Sequence, residues 1–138
     1  VIVGGQLDAT LTRQQAAQAW ADAVQAWAVG IIPPSTTVTA ACATLSTSLA
    51  SIFAVHATPY AGPAMDAAFA AFALTVGGGM AGYVPVPPVA PLGLSSPFAT
   101  NQPDHATAAT AVAALVDAWM RTGVSTLVAP PNTPVPWS

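Results

Sequence analysis

The chain contains no lysine and no glutamate, and its formal charges are Arg13, Arg121, Asp8, Asp22, Asp66, Asp104 and Asp117. Binding to DNA or RNA is driven largely by lysine and arginine displacing counterions from phosphates. Two arginines against five aspartates cannot supply that force, which excludes direct nucleic-acid binding as a function class. Cysteine is almost as scarce. Cys42 alone permits no intramolecular disulfide framework and no thiolate cluster for zinc.

Histidine occurs only at His56 and His105, and no HxxH, HxxxH or DxD spacing points to a metal. Gly77-Gly78-Gly79 precedes no basic residue and so lacks the parts of a phosphate loop. Cys42 and His56 are fourteen residues apart on one expected helix, about 21 Å, too far for a cysteine–histidine pair. The expectation is a chain with no catalytic residues, no cofactor and no metal, in which Cys42 is a buried structural thiol and both histidines are structural. The start, Val1-Ile2-Val3-Gly4-Gly5, lacks the basic segment and apolar run of a secretory signal, so export by that route is not expected.

The shortage of charge is sharpest between Ala23 and Pro103, 81 residues carrying Asp66 alone. A globule of 13.7 kDa exposes on the order of 6,500 Å², so its seven charges are spread thinly over that surface. Soluble monomers commonly carry about 25–35% charged residues on the surface. Large uncharged apolar areas mark contact surfaces, and this surface is therefore expected to be covered by lipid, by copies of the same chain or by other subunits.

What is present is an ordered series of helical patterns. Thr12-Arg13-Gln14-Gln15 has capping-box spacing and opens a first helix ending at Gly30, with Trp20 and Trp27 on its apolar face. Ser35 to Thr39 offers caps for a second helix running to His56, whose seam is Val38, Cys42, Leu45, Leu49, Ile52 and His56. Pro63 opens a third, with Asp66 in its first turn at the positive end of the helix dipole and Met65, Phe69, Phe72 and Val76 as its seam. A fourth, from Asp104–Thr107 to Gly123, carries Ala108, Val112, Leu115 and Trp119, with Asp117 and Arg121 as an exposed pair.

Between the third and fourth helices, Met80 to Pro103 holds six prolines among large apolar residues. Disordered linkers are normally polar, so this stretch is expected to be ordered, extended and polyproline-like. The fold class that follows is mainly α: a small four-helix bundle over 12–123, including a Pro-rich loop at 80–103. An extended N-terminal arm (1–11) and an extended Pro-rich C-terminal tail (124–138) complete it.

Contact with neighbours is expected from the arm through Ile2 and Val3, and from the Pro-rich loop through Tyr83, Val86, Val89, Leu92 and Phe98. The tail contributes Val128, Val135 and Trp137, an extended segment ending in a large amphipathic ring that suits docking in a partner's groove. On that reading, loss of Pro130 to Ser138 impairs assembly and leaves helix content intact. A membrane role is disfavoured: Thr36 to Ala57 is 22 uncharged residues, near spanning length, but eight are serine or threonine and no basic residue flanks them.

Taken together, the Ala-Trp helices, the string Tyr83-Val-Pro-Val-Pro-Pro-Val-Ala-Pro-Leu-Gly93, and Ala118-Trp-Met-Arg-Thr-Gly123 followed by Pro130-Pro-Asn-Thr-Pro134 resemble small Ala/Pro-rich virion structural proteins of tailed bacteriophages. The resemblance spans most of the chain and implies a non-catalytic subunit present in many symmetric copies, at the neck, head–tail connection or tail. Its implied partners are copies of itself and other virion proteins, and its implied location is the virion. A capsid decoration protein and a membrane-active, holin-like helical hairpin are the alternatives, and a small enzyme is a third class.

Overall fold

A computed structural model of the chain describes residues 12–55, 61–96 and 105–138. The expectations for Ile2, Val3, His56 and Phe98, and for the side chain of His105, lie outside the described residues. The elements run α1 (Arg13–Ala28), α2 (Val38–Val55), α3 (Gly62–Gly78), β1 (Tyr83–Val86), α4 (His105–Met120), β2 (Val124–Leu127) and β3 (Pro134–Pro136). The protein is mainly helical and carries one small antiparallel sheet in the order β1-β2-β3.

The capping box at the start of α1 forms in both directions. Gln15 N–H donates to Thr12 Oγ1 at 3.2 Å, and Thr12 N–H donates to Gln15 Oε1 at 2.9 Å. Two of the donors that a helix start leaves without partners are satisfied this way. The seams of α1, α2 and α3 then converge on one core. Trp20 meets Phe69 edge-on with centroids 6.2 Å apart, Phe69 meets Phe72 at 6.4 Å, and Leu45, Leu49, Met65 and Val76 fill the space around them. In α4 the buried positions are Ala109, Val112, Val116, Trp119 and Met120; Val112 and Trp119 are as expected, the half-buried Leu115 yields its place to the next residue, Val116, and the side chain of Ala108 lies outside the described residues.

Ser35–Thr37 does something other than cap α2. Ser35 Oγ donates to the Val76 carbonyl at 2.7 Å, Thr37 Oγ1 to the Thr75 carbonyl at 2.6 Å, and Thr36 N–H to the Gly79 carbonyl at 3.1 Å. The last carbonyls of a helix have no partner within it, and here the segment before α2 supplies the donors for the end of α3. The same bonds fix α2 and α3 as antiparallel neighbours. Ser46 Oγ to Gln18 Oε1 at 3.0 Å sets α1 against the middle of α2.

Asp66 is likewise redirected. It lies one residue beyond the first turn of α3, and its carboxylate accepts the backbone N–H groups of Gly93 at 3.2 Å and Leu94 at 3.0 Å. The one charge of the long uncharged stretch thus ties the Pro-rich segment to α3, and Leu92 and Leu94 beside it are buried.

The largest departure from expectation is the C-terminal segment. Rather than projecting as a tail, 124–138 folds back as a hairpin whose first strand, β2, is the centre of the sheet, and part of the Pro-rich loop becomes β1. Asn132, at φ 56°, closes the hairpin, its side-chain amide donating to the carbonyls of Leu127 at 3.1 Å and Val128 at 2.9 Å. Asparagine tolerates the left-handed region better than most residues.

Trp137 holds this arrangement in place. It is 1% exposed, and its indole Nε1 donates to Ser125 Oγ at 2.8 Å, while the Ser125 hydroxyl lies 3.0 Å from the Met80 sulfur. Its ring occupies a slot between Gly77 and Gly123: a β-carbon on Gly123 would lie 2.5 Å from the ring, and one on Gly77 3.2 Å from it. Beyond it, Ile32 and Ser138 exchange backbone hydrogen bonds at 2.8 and 3.2 Å, so the chain end also pairs with the loop after α1. An amphipathic ring needs an apolar slot and an acceptor for its N–H, and this chain provides both internally.

Removing a buried tryptophan typically costs about 3–5 kcal/mol, a large share of the roughly 5–15 kcal/mol that holds a domain folded. Trp137→Ala is therefore expected to lower stability by about that amount in urea unfolding. Deletion of Pro130 to Ser138 should also reduce thermal stability and helix content. Unchanged unfolding of either variant would show that the slot does not anchor the fold.

Candidate assembly surface

The sheet has an inner and an outer face, and register assigns every strand residue to one of them. Tyr83 pairs with Leu127, Val84 with Thr126, Pro85 with Ser125 and Val86 with Val124. On the other side of β2, Val124 pairs with Pro136, Ser125 with Val135 and Thr126 with Pro134. Paired residues in an antiparallel sheet share a face, and neighbours along a strand alternate. Tyr83, Pro85, Ser125, Leu127 and Val135 therefore face inward, where Ser125 is fully buried and the others are half-buried. The outer face consists of two rows of three: Val84–Thr126–Pro134 and Val86–Val124–Pro136.

No residue of the outer face is charged. Val84 is 58% exposed and Val86 54%, both prolines are exposed, and Val128 at 58% and Val89 at 90% extend the apolar area past the strand ends. Exposed valine on one strand face is ordinary. A whole sheet face of valine, proline and one threonine is not, because half-solvated antiparallel sheets normally alternate apolar-in with polar-out.

The two edges of the sheet offer no free N–H donor at the described outward positions. Val128 N–H donates to the Gly82 carbonyl, and Leu127 and Trp137 N–H donate to the carbonyls of Thr133 and Gly123. Because hydrogen-bonded pairs alternate along an antiparallel ladder, these bonds fix which residues point outward. On β1 they are Tyr83, whose N–H is taken by the Met80 carbonyl, and Pro85, which has none. On β3 they are Pro134 and Pro136, followed by Ser138, whose N–H is taken by Ile32. Proline at such positions costs no ladder bond and blocks strand addition.

The expected contact residues divide accordingly. Val86, Val89 and Val128 are exposed on or beside the outer face. Tyr83 and Val135 turn inward, and Leu92 and Trp137 are in the core at 3% and 1% exposure. Leu92 and Trp137 belong to the helical core and Tyr83 packs against it, so the loop and tail find apolar partners within this chain. Val84 was legible from the alternation in Tyr83-Val-Pro-Val86 once that stretch is read as a strand. The exposed valine and leucine at Val55 and Leu74, on α2 and α3, carry no comparable local signal.

Two further concavities lie among the helices. A polar groove of about 810 Å³ between α1 and α2 is lined by Arg13, Gln14, Gln18, Ser46 and Ser51. An apolar one of about 480 Å³ between α1 and α4 is lined by Val24, Trp27, Ala113 and Val116 and rimmed by Asp117 and Arg121. Asp117 accepts from Arg121 Nε at 2.9 Å and from Trp27 Nε1 at 3.1 Å. The Arg121 hydrogen bond holds its carboxyl below the usual range, assisted by the indole and opposed by partial desolvation.

Among the described residues, no three His, Cys, Asp or Glu side chains come together as metal ligands. Comparison with protein-family models, curated proteins and solved structures finds no match to this chain.

Cys42 is 3% exposed, and burial, with a smaller contribution from the Asp22 charge, pushes its thiol up to about 11. The thiolate is the reactive form, so the native protein should not react with a charged disulfide reagent at pH 8, whereas the urea-unfolded chain should react fully. Because the unfolded thiol ionises first, stability should fall as pH rises from about 9 to about 11. That decrement should be missing in Cys42→Ala. Rapid native labelling at pH 8 would contradict the burial of this thiol.

Proposed function

We propose that this chain is a structural subunit of a virion, a four-helix bundle with a sheet platform that acts by packing among copies of itself and other virion proteins at the neck, head–tail connection or tail. The observation that carries the reading is the surface: 7,047 Å² with seven formal charges in the whole chain, and an outer sheet face with none. A subunit enclosed by neighbours has no need of a charged surface, whereas a free monomer depends on one for solubility. The resemblance in composition and order to small phage virion proteins supports the same reading, and a capsid decoration protein is its nearest variant.

One observation favours a membrane-active alternative. Val38–Val55 is long and apolar enough to cross a bilayer, and only 28% of it is buried. Against this stands its exposed hydroxyl face. Thr44, Thr47 and Ser51 each donate to the carbonyl one turn earlier, which satisfies them on the helix but leaves a hydroxyl surface better matched to protein or water than to lipid tails.

The test is the chain's location. In virions purified without detergent from the producing host, quantitative mass spectrometry should find it at a copy number that is a multiple of three, six or twelve. Recovery only in the host membrane fraction would refute the virion reading in favour of the holin-like one.

A further inference from the structure

We infer that the apolar groove between α1 and α4 is a binding site for a small apolar carboxylic acid, whose carboxylate pairs with Arg121 at the groove's mouth while its hydrocarbon body lies against Val24 and Trp27. The inference goes beyond the assembly reading, and its test needs no particle.

The groove follows from a mismatch of side-chain size. Val24 and Trp27 line it from α1, and the facing positions on α4 are Ala113 and Ala114, too short to fill the space opposite. Val24 and Val116 are buried at its floor, and Trp27 and Ala113 are half-buried along its walls. Packed interiors rarely leave a space larger than a water molecule unfilled. This one measures about 480 Å³ and opens to solvent, within the roughly 300–1,000 Å³ of small-molecule sites, which occur between the helices of bundles.

The mouth selects the ligand's head group. Trp27 Nε1 donates to Asp117 Oδ1 at 3.1 Å and Arg121 Nε to Asp117 Oδ2 at 2.9 Å, so each carboxylate oxygen already holds a donor and the indole N–H is spent. Asp117 is held as an anion by that pairing. Arg121, in contrast, commits Nε alone. Its amino groups Nη1 and Nη2 have no acceptor among the described residues, and together they present the planar fork that grips a carboxylate through two parallel hydrogen bonds. An alkyl alcohol offers that fork a single neutral acceptor, and an alkyl ammonium offers it a like charge. Repulsion from Asp117 acts across the intervening guanidinium and is screened at this half-exposed rim, whereas the bonds to Nη1 and Nη2 are direct. A carboxylate joined to an apolar body is therefore the ligand that uses both the groove and the fork.

Titration of the full-length chain with octanoate, 1-octanol and octyltrimethylammonium, three ligands of one chain length, tests head group and site together when followed by protein-observed NMR. Octanoate should bind with a dissociation constant of about 0.1 mM, 1-octanol about tenfold more weakly, and octyltrimethylammonium more weakly still. The shifts should centre on the Trp27 indole N–H and the Arg121 Nε–H. Arg121→Gln, at an exposed position, should keep the wild-type melting temperature, lose about tenfold in octanoate affinity and leave 1-octanol binding unchanged. Ala114→Phe, also exposed and on the groove's wall, should weaken both ligands together.

Equal affinity for octanoate and 1-octanol, or octanoate binding unchanged in Arg121→Gln, would overturn the carboxylate assignment. Shifts confined to the sheet or to α2 and α3, or the absence of saturable octanoate binding up to about 2 mM, would overturn the site itself. The virion reading is judged separately, by the composition of the particle.

Discussion

The fit of one indole between two glycines determines the shape of this protein. Trp137 brings the chain end against the last turn of α3 at Gly77 and the turn after α4 at Gly123, and its N–H finds Ser125 on the central strand. Ser125, fully buried, has its own hydroxyl against Met80, two residues past the end of α3. Helices that are far apart in sequence are thereby joined through a strand hairpin rather than through their own side chains alone. Without that anchor, β3 would be a three-residue strand carrying two prolines, too short and too poor in donors to hold itself in place.

Two other tryptophans act in the same way at lower burial. Trp27 reaches from α1 to Asp117 on α4, and Trp119 donates from α4 to the Ala90 carbonyl in the Pro-rich segment at 2.6 Å. In a chain nearly without charge, the indole N–H takes over the long-range polar connections that ion pairs make elsewhere. Asp117–Arg121 is the salt bridge found among the described residues, and it is exposed and local to one helix, so it adds little to stability. Asp66 is the exception that spans a distance, and it binds backbone amides rather than a cation.

The helices were legible because their signals are local. The capping box at Thr12–Gln15 and the seam of α3 from Met65 to Val76 depend on spacing within one element, and both are found as read. The sheet was hidden because its signals are not. Proline in Tyr83-Val-Pro-Val86 and Pro134-Val-Pro136 argues against strand until it is known that these are edge strands whose proline nitrogens point away from the ladder. Trp137 departs from its expected exposed position for a related reason. A terminal, proline-flanked tryptophan has the composition of a docking segment, and sequence alone does not tell whether the groove belongs to the same chain or to a neighbour. The same hydroxyl-rich Ser35–Thr37 can serve the helix after it or the helix before it in space, and only the packing of α2 on α3 decides.

Under the assembly role proposed above, the C-terminal tail is held within its own chain and the outer sheet face is covered by a neighbour, and hydroxyl-radical footprinting of the isolated chain and of the proposed particle tests both at once. Trp137 should be protected in each state, while Val84, Val86 and Val128 should be oxidised in the isolated chain and protected only in the assembly. Oxidation of Trp137 in the isolated chain, or equal oxidation of the three valines in both states, would contradict it.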